Sequence, residues 1–171
     1  MISNKGASLS AMNAAFPATA IAVNTLHIGL FKGTRPDLNK IFNIMAASPA
    51  LNFQTVLTTL GVLQADYLGS VACSAMTPIV NVGARTVTLP FGGMVSTLTG
   101  VADGTPTYYI ARICPANTLA TWVGFNYSAA LAGPVWIGTV GAEGSDAELQ
   151  FIGGQIKTGQ AYRFLDQTIQ L

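Results

Sequence analysis

The sequence predicts a mainly β protein: an antiparallel β-sandwich or barrel with one or two short helical inserts and an extended N-terminal arm. Three observations carry that reading. From about residue 68 onward, short β-rich runs recur at roughly ten-residue spacing, each bounded by Gly, Asp or Pro. Ahead of them, the stretch Leu26 to Pro36 (LHIGLFKGTRP) alternates Leu26, Ile28 and Leu30 with His27, Gly29 and Phe31, the period of a strand, before Gly33 and Pro36 stop it. Helical periodicity is confined to residues 37–66. The chain therefore divides into an arm, residues 1–25, and a single sandwich domain, residues 26–171, with a helical insert at 37–66.

The arm is unusual for a tail. Residues 1–24 carry Lys5 as their only charged side chain, whereas disordered segments are normally polar and charged. Its apolar content without a helix or strand period suits a segment lying on a neighbouring subunit, with Phe16, Pro17 and Ile21 as contacts. The longest apolar run, AMNAAFPATAIAV, is broken by Asn13 and Pro17. It is too short for a membrane span, and Lys5 alone is a poor positive region for a signal peptide.

After the first strand, Pro36 and Asp37 suit a helix start, and Leu38, Ile41, Phe42 and Met45 share one face, predicting a helix over 37–47 that Ser48-Pro49 ends. A second helical pattern has Asn52 as N-cap and Phe53, Val56, Leu57 and Leu60 on one stripe, extended by Leu63. The β-branched Thr55, Thr58 and Thr59 let it read equally as a buried strand pair. Thr86 to Leu89 is a strand closed by Pro90. Met94 to Gly100 and Thr107 to Ile113 flank Asp103-Gly104, a hairpin signal. Trp122 to Tyr127 and Val135 to Val140 read as strands, followed by Glu148 to Ile152, a Gly153-Gly154 turn, Gln155 to Lys157, and Tyr162 to Leu171.

Composition narrows the function classes. Charged residues make up 9% of the chain, against about 25% in typical soluble domains, while hydrophobic residues reach 50%. A surface of roughly 8,000 Å² would then carry about one charge per 500 Å², little protection against association. Burial of that surface against other subunits is the natural consequence. The eight cationic residues are scattered through the sequence, leaving no footprint for nucleic acid.

No catalytic or cofactor constellation stands out. His27 is the sole histidine and sits in a strand, where a structural role outweighs a catalytic one. Cys73 and Cys114 lack metal-ligand spacing; reduced buried thiols are expected, with a disulfide as the other reading. Glu143, Asp146 and Glu148 fall in a Gly/Ser turn that suits solvated charge, and Asp66, Asp103 and Asp146 could form a carboxylate pair only if the fold brought them together. Gly138, Gly141 and Gly144 match no phosphate-loop or dinucleotide pattern and read as turn glycines. The aromatics Tyr108, Tyr109, Trp122, Phe125, Tyr127 and Trp136 suit the core first and a carbohydrate or partner surface second, with one of Tyr108 and Tyr109 entering the core.

At LHIGLFKGTRP, and again at GSDAELQFIGGQIKTGQAYRFLDQTIQL, the chain resembles a group of small structural proteins of tailed bacteriophages. Those proteins begin with a strand and a Gly-Thr-x-Pro turn, pass through a Gly/Thr/Ala-rich middle with a strand like Thr121 to Tyr127, and finish with paired strands. The likeness covers residues 26–36 and 107–171; the insert at 37–66 and the apolar N-terminus depart from it. It implies a non-enzymatic virion β-sandwich without cofactor or metal, assembled in the host cytoplasm. The expected protein is a capsid decoration or cement protein that binds other virion subunits, the major capsid protein among them, and itself as a homo-oligomer, a trimer foremost. A tail or neck component and a carbohydrate-binding sandwich are the alternatives. Phe16, Pro17, Ile21, Lys32 and Arg35 are the candidate interface residues, Arg35 being suited to an acidic neighbour.

Overall fold

A computed structural model describes residues 24–37, 40, 53–73, 79–81, 83–84, 86–89, 97–115, 121–126 and 135–170. The arm residues Phe16, Pro17 and Ile21 lie outside them, as does most of the helix predicted over 37–47. What is described there is a first turn, with the Lys40 amide donating to the Asp37 carbonyl at 3.1 Å.

The predicted opening strand is β1, Asn24–Phe31. It lies between β2, Tyr67–Cys73, and β6, Tyr108–Pro115, in a five-stranded sheet completed by β7, Val135–Ala142, and β8, Leu149–Phe151. Both of its neighbours run antiparallel to it: Leu26 pairs with Cys73 on one side and Ile113 on the other. The protein is thus mainly β, as predicted, but the sheet is mixed because β7 and β8 pair in parallel. The connection between them, residues 143–148, is far shorter than the crossover usual for a parallel pair; it turns at Gly144, φ +80°, where the Ser145 amide donates to the Ala142 carbonyl at 3.1 Å and the Gly144 amide donates to the Gln150 side chain of β8.

The alternation in β1 has two destinations. Ile28 and Leu30 enter one buried cluster with Leu68, Val71, Leu98, Tyr109, Leu149, Phe151 and Ile156. Phe31 enters another with Phe53, Val56, Leu57, Leu60, Tyr67, Tyr108, Ile110, Phe125 and Ile137. Both faces of the sheet are therefore covered, so the neighbouring tyrosines Tyr108 and Tyr109 are both buried, on opposite faces. The expectation that only one would enter the core assumed a half-solvated sheet.

The stripe Phe53, Val56, Leu57 and Leu60 is helical, forming α1, Phe53–Leu60, on the second face. The threonines are accommodated: Thr58 and Thr59 donate their hydroxyls to the carbonyls of Gln54 and Thr55. Gly61 at φ +73° ends the helix, and Leu63, predicted to extend the stripe, is 59% exposed. A 3-10 turn, Gln64–Asp66, leads into β2, where Leu68 is inserted as a bulge between the pairs Leu30 with Gly69 and Phe31 with Tyr67.

The Asp103-Gly104 hairpin does not form. Its first arm, β5 (Leu98–Thr99), pairs with β9 (Ala161–Tyr162), while Gly104 bridges Ile156, so the segment closes the first face and β6 pairs elsewhere. Trp122 to Tyr127 is likewise no strand where it is described: α2, Trp122–Phe125, is a single helical turn, capped by the Thr121 hydroxyl accepting from the Gly124 amide at 3.2 Å. The last predicted strand breaks into β9, a bridge at Phe164 and β10, Gln167–Gln170, which joins β4 (Thr86–Leu89) and β3 (Ile79–Asn81) in a separate three-stranded sheet. The Gly153-Gly154 turn is present, both residues at positive φ. Of the three spaced glycines only Gly144 is in a turn. Gly138 and Gly141 are in β7, where a side chain would collide with Tyr109 and Ser145 respectively.

Candidate partner interface

The aromatic cluster of the second face sets the site. Phe31 and Tyr108 stack with centroids 5.2 Å apart, Phe53 meets Phe125 edge-on at 5.3 Å, and Tyr67 lies 5.3 Å from Trp122. Arg112, one of the scattered cations in the sequence, is fully buried here. Its guanidinium lies 4.3 Å over the Phe53 ring and donates to the Gly124 carbonyl at 3.3 Å. One of eight positive charges is thereby withdrawn from a surface already poor in them.

Because α2 is only one turn long, it covers Phe125 completely and leaves Trp122 half-buried at the rim. Beside it is a groove of about 470 Å³ lined in part by Trp122 and Tyr67. Thr121, Val123, Val101, Ala102, Gln64 and Ala65 complete the lining. None of these lining residues is charged. Val123 is 73% exposed and Val101 45%, and Leu63, next in sequence to the lining residue Gln64, is also exposed. Large apolar side chains held out of a core in this way mark a surface suited to a partner.

Lys32 and Arg35 follow β1 at the end of the sheet that carries the groove. The Lys32 amide donates to the Asp66 carbonyl at 3.0 Å, in the 3-10 turn that also presents Gln64 and Ala65. Lys32 is half-buried and Arg35 exposed. The Lys32 backbone is thus tied to the turn that contributes to the groove, and Arg35 follows three residues later in the exposed stretch after β1. Sequence reasoning missed the groove itself, because Val123 was read within a strand and Leu63 within a helical stripe. The available signal was Thr121 ahead of Trp122 and Phe125 at i, i+3, a capped helical turn.

Other side chains singled out in the sequence are buried or held in hydrogen bonds. His27 is fully buried with its ring 6.3 Å from that of Phe125. Cys73 is a free, buried thiol whose pKa burial pushes up to about 12. Since β1 separates β2 from β6, with Thr25 opposite Cys114 and Leu26 opposite Cys73, the two cysteine backbones are two strand spacings apart. That is about 9.5 Å, beyond the roughly 7 Å a disulfide spans. Burial, opposed by a hydrogen bond to Ser70, raises Tyr67 to about 12; burial and the Asp66 charge do the same for Tyr108.

Glu148, from the acidic turn, accepts the Thr139 amide at 2.8 Å, and Asp103 accepts the amide and hydroxyl of Thr158. Among the described residues no group of three or more His, Cys, Asp or Glu side chains could hold a metal ion, and no helix is long and apolar enough to cross a membrane. Of the aromatics proposed for a glycan surface, Tyr108, Tyr109 and Phe125 are used in the core and Trp122 is at the rim, while Tyr127 and the Trp136 side chain lie outside what the structure describes. Comparison with protein families, curated proteins and solved structures finds no match to this chain.

Proposed function

We propose that this chain is a structural subunit of a tailed-bacteriophage virion, a capsid decoration or cement protein that stabilises the shell by binding the major capsid protein and further copies of itself. The observation that carries the reading is an uncharged groove lined by Val101, Val123 and Trp122 on a chain with only 15 charged residues in 171. Such a surface gains affinity from apolar contact repeated by symmetry more than from ion pairs. The phage-like stretches at both ends of the domain point the same way. Purified protein mixed with mature and with undecorated capsids is expected to cosediment with the shell and raise its disruption temperature. Binding to neither would remove the decoration role, and rings of six or twelve in solution would move the subunit to the tail or neck.

A further inference from the structure

We infer that the groove over Trp122 and Tyr67 seats the stretch around Phe16 to Ile21 of a neighbouring copy, so that subunits join head to tail. The inference rests on the assembly-subunit reading and names the occupant of its interface.

Chemistry and geometry both select that occupant. The groove has no charged lining residue, and the segment ahead of β1 has a single charge, Lys5, eleven residues from Phe16. Desolvating either surface therefore removes no ion from water. Phe16 and Ile21 supply the large apolar side chains that a groove lined by Trp122, Tyr67, Val101 and Val123 can take.

The position of the strand start keeps Ile21 out of the chain's own groove. The segment joins the domain at Asn24, opposite Pro115, while the groove lies at the other end of β1, where Phe31 pairs with Tyr67. Seven strand residues separate the two ends, roughly 23 Å. Ile21 is three residues ahead of Asn24 and reaches at most about 10 Å from it. Phe16, eight residues ahead, would span the distance only if fully extended and reversed along a sheet whose faces and flanking strands leave β1 enclosed. A second copy placed end to end meets neither limit. The contact joins two different surfaces, so it is heterologous and closes into a ring when the rotation between copies permits, a trimer included.

The test uses three full-length variants, Ile21→Glu, Val123→Glu and Val101→Glu, with sedimentation velocity across a concentration series. Val123 and Val101 are exposed, so unchanged thermal melting serves as the control for folding. Wild-type protein is expected to self-associate, and each variant alone to lose at least about tenfold in association constant, since a buried unpaired carboxylate costs more than the 1.4 kcal/mol that a tenfold change represents. Mixing Ile21→Glu with Val123→Glu leaves one intact segment and one intact groove, and a one-to-one heterodimer is expected. Loss in the single variants without recovery on mixing overturns the cross-copy contact. Association unaffected by either groove variant overturns the groove as the seat while leaving the assembly reading intact. A wild-type protein that stays monomeric at every concentration overturns both.

Discussion

The two faces of the central sheet are closed by different means, and the difference explains why only one of them carries a groove. On the Ile28 and Leu30 face, backbone approaches backbone: a side chain on Gly69 would press on the Thr99 carbonyl at 2.8 Å, and one on Gly100 would strike the Lys157 carbonyl. On the Phe31 face, rings and helices do the covering, and a helix of one turn ends before the surface is sealed. Closure by backbone leaves no gap between layers, whereas closure by large side chains leaves a rim wherever the helix stops.

The strongest way to test the contrast is to remove a ring. Phe125 is fully buried and touches Phe31, Phe53, Tyr67 and Trp122, so Phe125→Ala is expected to cost about 3–5 kcal/mol in denaturant unfolding. Native-state hydrogen exchange should then rise in α1 and α2 more than in β5 and β9. Equal loss of protection on both faces would mean that the two clusters melt as one body, and the comparison between them would fail.

Adding a methyl group gives the second comparison. At Gly29 a new Cβ would lie 2.8 Å from the Phe125 ring, which can tilt. At Gly100 the obstacle is main chain, which cannot. Both changes overpack, at about 1–3 kcal/mol, with Gly100→Ala at the upper end or beyond and Gly29→Ala at the lower. Urea midpoints in the reverse order would contradict the distinction between ring-closed and backbone-closed faces.

How much of this was legible follows from the range of the signals. The Leu26 to Phe31 alternation was readable because strand periodicity is local, and so was the stripe Phe53, Val56, Leu57 and Leu60. That both faces of β1 are buried was not, because it depends on α1 and on β5 with β9, elements from distant parts of the chain. Asp103-Gly104 carried a sound local hairpin signal, yet β5 found β9 some sixty residues away and the pairing was decided by the fold. Arg112 looked like any surface cation; only the Phe53 ring above it and the Gly124 carbonyl beside it make its burial intelligible. That β1 ends just ahead of Lys32 was readable too, since a turn after a strand is itself a local feature.

Alkaline pH should weaken both faces together. Cys73 faces the aliphatic cluster, Tyr67 and Tyr108 the aromatic one, and burial raises all three to about 12 from ordinary values of 9 and 10. A raised folded pKa means that the neutral form is favoured in the native state. The contribution is therefore complete below the unfolded pKa and lost as pH climbs toward the folded one. Stability is expected to be level up to about pH 9 and to fall between pH 9 and 12. The Cys73 thiol should resist alkylation at pH 8 until the protein unfolds, as read by mass spectrometry of its peptide. Rapid native-state labelling of Cys73 would show that the aliphatic face opens more readily than its packing implies.

The smallest effect belongs to Asp103, and it bears on where the two faces meet. Its carboxylate accepts the Thr158 amide and hydroxyl, each at 2.8 Å, and lies 3.4 Å from the Lys157 ammonium, tying the loop after β5 to the strand-like stretch at Ile156. The same loop presents Val101 to the groove, so one polar clasp serves the closed face and the open one. The Thr158 amide bond, then the hydroxyl bond, hold the Asp103 carboxyl below its ordinary value. A lowered folded pKa means stability that is present above the unfolded value of about 3.9 and lost as pH falls through the folded one. Asp103→Asn keeps an acceptor but cannot titrate. It should leave stability near pH 7 almost unchanged and flatten the acid limb below pH 4, a modest change because the pair is exposed to solvent. If urea unfolding of Asp103→Asn shows the wild-type acid slope, the clasp is incidental, and Val101 is held toward the groove by its own amide bond to the Leu68 carbonyl and by the Gly104 to Ile156 bridge.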